Sequence, residues 1–118
     1  MRIAPTLDAY GGGGFRVSGL WRPGSLLIVE DHPRDWPVKS ARELTANDFA
    51  AVIGLGPGVC EFVLLGTGAA PVMPPAAVRQ GLAGAGLGLE FMTTQAAARM
   101  HNVLASQGRR FATALIVI

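Results

Sequence analysis

Three polar residues stand where an otherwise apolar sequence has little place for them. Glu90 lies inside Leu89-Glu-Phe-Met92, Asn102 sits in the middle of a helical stretch, and Arg109 follows that stretch directly. A carboxylate in an apolar strand is costly unless it is paired or lies at a sheet edge facing water. Glu61, at the start of Phe62-Val-Leu-Leu65, poses the same problem. Asparagine is a poor helix-interior residue, so its amide is expected to hydrogen-bond something fixed. A guanidinium beyond a helix C-terminus is favoured by the helix dipole. Two arrangements fit these residues. In one, Glu90, Asn102 and Arg109 form a structural network tying the last helix to a sheet. In the other they line a polar pocket beside the turn Gly66-Thr67-Gly68, whose backbone N–H groups could cradle a small anion.

Other chemistries lack their parts. Gly66-Thr-Gly-Ala-Ala-Pro71 follows a strand and precedes a helix, but Pro71 replaces the third glycine of a dinucleotide fingerprint and the helix starts only near Pro74. No Gly-Lys-Ser/Thr triplet and no G-x-S-x-G elbow occurs. His32, between Asp31 and Pro33, reads as a solvated loop residue, and His101 as a histidine at the margin of a helix's apolar stripe. Cys60 is the only cysteine, so an internal disulfide and a Cys/His metal set are both excluded, and it reads as a small buried hydrophobe. No catalytic residue, metal or cofactor is expected.

Composition sets the frame around these residues. Half of the 118 residues are hydrophobic and 15% are charged, which excludes a disordered chain. The 16 glycines and 8 prolines keep no three-residue period, which excludes collagen. Net charge is +2. The nine arginines are scattered and not interleaved with the eight aromatics, unlike a nucleic-acid-binding stripe. The charge-free run Phe62 to Val78 contains Gly66, Gly68, Pro71, Pro74 and Pro75, so direct membrane insertion as a helix is not expected. Met1 to Thr6 lacks the apolar segment of a signal peptide, and the expected location is the cytoplasm.

The elements that would position the polar residues follow from apolar runs and punctuation. Phe15–Ser18 and Ser25–Val29 read as strands, and Asp31–Pro37 as a polar, proline-bounded loop. Thr45 and Asp48 form a capping box ahead of a short helix through Ile53, ended by Gly54. Phe62–Leu65 is a buried strand, Pro74-Pro75 starts a helix through Ala76–Leu82, and glycines 84, 86 and 88 lead into Leu89–Met92. The last helix runs from an N-cap at Thr94 to a stop at Gly108. Its apolar stripe is Ala96, Ala97, Met100, Val103 and Leu104, with Arg99, Asn102 and Ala105 off it. Phe111–Ile118 is a buried strand. Alternating strands and helices in the second half predict an α/β sheet that is partly parallel.

Matched in order along residues 1–118, the chain resembles a small Mth938-like family of unknown function. The family was first described from an archaeal structural-genomics target, and it includes the mitochondrial complex I assembly factor three and an adipogenesis-associated protein. The resemblance is carried by Gly13-Gly14-Phe15 with Val17, by Trp36-Pro-Val38 ahead of Leu44-Thr45, and by Glu61 to Gly68. It continues in Leu89-Glu-Phe-Met-Thr93, Ala97, Asn102, Leu104, Gly108-Arg109 and Ala114-Leu-Ile116. His101 stands where an aromatic residue is common in the family, and Gln107 where an acidic one is usual. The resemblance implies a single three-layer α/β domain around a central mixed sheet of about five strands. It also implies a non-catalytic binding or assembly module acting on an unidentified protein partner, such as membrane-associated respiratory or export machinery. The alternative is a small-molecule or anion-binding protein using Gly66, Thr67 and Gly68, with Glu90, Asn102 and Arg109 nearby.

Overall fold

A computed structural model describes residues 3–118. The chain begins with an antiparallel three-stranded sheet, β1 (Leu7–Gly11), β2 (Gly14–Val17) and β3 (Leu20–Pro23). Gly24, at φ +81°, turns β3 directly into β4 (Ser25–Val29), and β5 (His32–Trp36) returns beside it. Two 3-10 turns and a single helical turn, α1 (Ala50–Ile53), follow. Then come β6 (Phe62–Gly66), α2 (Ala76–Gly84), β7 (Gly88–Met92), α3 (Thr94–Ser106) and β8 (Phe111–Leu115). The main sheet has the order β5-β4-β8-β6-β7; β6 is parallel to β7 and β8, while β4 is antiparallel to β5 and β8. The expected mixed five-stranded α/β sheet is therefore present.

Both faces of this sheet are covered, which is why its strands are apolar at successive positions. Leu27, Val29, Val63, Leu65, Ala112 and Ala114 pack with Phe49, Val52, Val78 and Leu82 from the side of α1 and α2. Leu26, Ile28, Leu64 and Leu115 pack on the other face with Ala97 and Ala98 of α3 and with Leu7, Phe15 and Val17 of the small sheet. The result is three layers with two cores.

Local signals explain most boundaries. The Thr45–Asp48 capping box forms, but it opens a 3-10 turn, Ala46–Phe49, before α1. Gly108, at φ +72°, ends α3, with Gly108 N–H donating to Ala105 and Arg109 N–H to Leu104. That is the paired bonding of a Schellman stop.

Four expectations need correction. Asp31–Pro37 is not a loop, because His32–Trp36 forms β5. Glu30 and Asp31, at φ +50° and +64°, form the two-residue turn that a tight hairpin requires. The cap of α3 is Thr93, whose hydroxyl accepts from Ala96 N–H, and Thr94 is the first helical residue. The last strand ends at Leu115 rather than Ile118. The buried arc of α3 is Thr94, Ala97, Ala98 and His101, with Leu104 and Ala105 partly buried, while Met100 and Val103 face outward. Among the described residues no helix is long and apolar enough to cross a membrane.

Candidate functional site

The polar residues singled out in the sequence fall in three places. At the C-terminal end of β6, the turn Gly66-Thr67-Gly68 is tied to the start of α3. Thr67 N–H donates to Met92 O at 2.8 Å, and Gly68 N–H donates to Thr94 Oγ1 at 2.9 Å. The Thr94 hydroxyl in turn donates to Ile116 O at 2.7 Å. The Thr67 hydroxyl lies 2.7 Å from Ala70 O and 3.0 Å from Met92 O, and accepts from Val72 N–H. Both turn amides are spent within the fold, that of Thr67 on the end of β7 and that of Gly68 on the start of α3. Thr94→Val keeps the shape but orphans Gly68 N–H and Ile116 O. An expected loss of about 2–3 kcal/mol in urea unfolding checks this role.

Asn102 lies elsewhere. Its side chain spans the backbone of Leu7, accepting from Leu7 N–H at 2.9 Å and donating to Leu7 O at 2.9 Å. The amide copies the hydrogen bonding of a neighbouring strand and fastens β1 to α3. Beside it, His101 is buried at 2% exposure and bonds Thr113 Oγ1 and Pro5 O. So His101 is not a margin residue: it is the polar centre of the α3 contact.

Glu90 and Arg109 line one groove of about 180 Å³, together with Phe62, Leu64, Met100 and Leu104. Parallel pairing places Glu90 beside Leu64, and the Schellman stop directs Arg109 back over β6. The Arg109 guanidinium stands 5.2 Å from the Phe62 ring centre, and Phe62 stacks on Phe111 at 5.5 Å. Phe111 in turn meets the edge of His101 at 5.5 Å. Arg109 lies 3.9 Å from Glu61, which also pairs with Arg110 at 3.3 Å. Glu61 is thus a half-exposed partner for two arginines, and Glu90 an exposed residue of the edge strand β7. The structure does not gather Glu90, Asn102 and Arg109 beside the Gly66–Gly68 turn. Glu90 and Arg109 share the groove, Asn102 holds β1, and the turn belongs to the opposite end of β6.

From α3 the groove takes Met100 and Leu104, both expected in the buried stripe. Met100 is 40% exposed and Val103 51% exposed. One turn apart, they lie on one side of α3. Their presence in an apolar stripe wider than the buried arc was the available signal.

Cys60 is buried, and its thiol donates to Phe62 O at 3.3 Å. Burial pushes its pKa up, aided by the nearby Glu61 carboxylate and opposed by hydrogen bonding with Ala112 and Phe62 backbone. As pH rises past the ordinary thiol range, the unfolded chain loses this proton first, so stability falls with rising pH. Disulfide-reagent labelling at pH 8 is expected to run about a hundredfold slower on the folded protein than in urea.

Residues 7–116 match the family described as a protein of unknown function (DUF498/DUF598). An uncharacterized protein of Rhodobacter capsulatus is 36% identical over 110 residues, covering 93% of this chain and 82% of the relative. The chain belongs to this family. Solved structures similar to this DUF498/DUF598 protein include a crystal structure from Bordetella parapertussis, 31% identical with a TM-score of 0.86, covering 98% of this chain and 97% of that one. A Bartonella henselae protein described as an outer membrane protein is 29% identical with a TM-score of 0.88, again covering 98% and 97%. The solution structure of a Mth938-like domain from Bordetella pertussis is 28% identical with a TM-score of 0.81, covering 95% and 85%. The DUF498/DUF598 protein therefore has the Mth938-like fold expected from its sequence.

Proposed function

We propose that this DUF498/DUF598 protein is a non-catalytic binding module that engages a protein partner through the groove between α3 and β7. One observation carries the proposal: α3 is more apolar than its packing requires, and the surplus borders a groove. Met100 is left exposed in the groove with Phe62 and Leu64, and Val103, one turn along the same helix, is exposed as well. Exposed apolar surface rimmed by polar groups marks interaction sites more often than chemistry. Glu90 and Arg109 supply that rim. In this proposal the partner belongs to membrane-associated assembly machinery. Support comes from the resemblance to a complex I assembly factor and from the Bartonella neighbour described as an outer membrane protein.

A photo-crosslinking residue at Val103, compared with one at Lys39, tests the proposal in cells that make the protein. The expected result is one protein recovered repeatedly from position 103, absent from position 39, and lost when Met100→Glu is added to a chain that still folds by circular dichroism. Equal recovery from both positions, or indifference to Met100→Glu, would refute it.

A further inference from the structure

The main sheet treats its two edges differently. β5 is one edge, and it carries Pro33, Arg34 and Asp35. In the β4–β5 hairpin the turn-closing pair is Val29 with His32, so the next pair, Ile28 with Pro33, turns its backbone groups outward. Pro33 therefore removes an N–H that would otherwise invite another strand. Proline and charged side chains are the usual protection of an exposed edge.

β7, the other edge, has no such protection. Gly88-Leu-Glu-Phe-Met92 contains no proline and one charge. Gly88 N–H donates to Glu61 O, and Met92 O accepts from Thr67 N–H, so residues 88, 90 and 92 spend their backbone groups on the β6 side. By the alternation of a parallel ladder, Leu89 and Phe91 point their N–H and C=O groups away from the sheet. The Phe91 side chain is 36% exposed beside them.

Glu90 adds a preference of charge. Its neighbours in the groove are Phe62, Leu64, Met100, Leu104 and Arg109. Arg109 is held over Phe62 and near Glu61. Among the described residues, no hydrogen bond or ion pair engages the Glu90 carboxylate. A residue placed directly beside Glu90 on an added strand would have its Cβ about 5 Å away, within reach of an ion pair.

We infer that an extended segment of the partner adds as a strand to the outer edge of β7, hydrogen-bonding Leu89 and Phe91 and setting a lysine or arginine beside Glu90. This rests on the groove reading proposed above. Apolar side chains two residues to either side of that cation would share its face and enter the groove. A second copy of this chain fits less well. Two-fold pairing that uses the outward groups of both Leu89 and Phe91 sets Glu90 directly opposite its own copy, and like charges so placed are destabilising.

The probe is the peptide acetyl-Leu-Thr-Lys-Thr-Leu-amide, titrated at millimolar concentration into the 15N-labelled protein. The expected result is slowed exchange of the Leu89 and Phe91 amides together with shifts at Met100 and Leu104. Replacing the central lysine by glutamate should weaken binding about fivefold, and N-methylating both threonines should weaken it more than about tenfold. Shifts at Met100 and Leu104 without protection at Leu89 and Phe91 would leave the groove standing and overturn strand addition. No response at either set would also overturn it, while the Val103 crosslink decides separately on the groove. Protection of Leu89 and Phe91 that rises with protein concentration alone, with a dimer by light scattering, would make the occupant a second copy and overturn the partner assignment.

Discussion

Gly66→Ala is expected to destabilise the protein by at least about 3 kcal/mol, lowering the thermal midpoint by roughly 10 °C or more. A Cβ at position 66 would lie 2.8 Å from Thr94 Cα, 2.9 Å from Thr94 Oγ1 and 3.0 Å from Leu115 Cδ2. The first neighbour is backbone, and the second is fixed by bonds to Gly68 N–H and Ile116 O. Neither can retreat without breaking the β6–β8–α3 junction. The comparison is Gly84→Ala at the end of α2, where a Cβ meets nothing within 4 Å. Replacing that helical glycine should raise stability by about 0.5–1 kcal/mol. Calorimetry of the two variants settles the matter. If Gly66→Ala melts with the parent, close approach is not the reason for that glycine.

His101→Ala carries the second large effect, an expected loss of about 3–5 kcal/mol in urea unfolding. Nε2 lies 2.8 Å from Pro5 O, which can only accept, so Nε2 bears the proton. In the neutral ring Nδ1 then accepts from Thr113 Oγ1 at 2.7 Å. Alanine leaves a void and strands the Pro5 carbonyl and the hydroxyl of Thr113, a residue only 1% exposed. Adding Thr113→Val removes the stranded hydroxyl, so the double variant should cost less than the two single losses together. Strict additivity would show that the His101–Thr113 bond contributes nothing.

The sheet was largely legible from the sequence. Ser25–Val29 and Phe62–Leu65 announce buried strands by apolar run alone, and Pro74-Pro75 and Gly108 mark helix ends through backbone chemistry that is local. β5 was not, because the proline and charges that blunt a sheet edge also signal a loop; pairing with β4 decides between them. The α3 stripe misled for a related reason. More than one arc of that helix is apolar, and tertiary contact chose the one carrying Ala98 and His101 over the one carrying Met100 and Val103. Of the expected site, Glu90 and Arg109 line one groove, while Asn102 and the Gly66–Gly68 turn do not. The Asn102 partner, Leu7, lies 95 residues away, and no local pattern encodes a contact that the fold must first create.

The position of β8 bears on how the protein comes to be folded. It lies between β4 and β6, yet it is the last of the eight strands among the described residues. During synthesis the hairpin β4–β5 and the pair β6–β7 can form early, each with an apolar inner edge that stays bare until residues 111–115 emerge. Closing the sheet then joins segments more than eighty residues apart, such as Leu26 with Leu115. Such long-range pairing is slow to form. The nascent protein therefore spends its riskiest interval with the edges of Ser25–Val29 and Phe62–Gly66 open to other chains, an interval ended by a single late insertion.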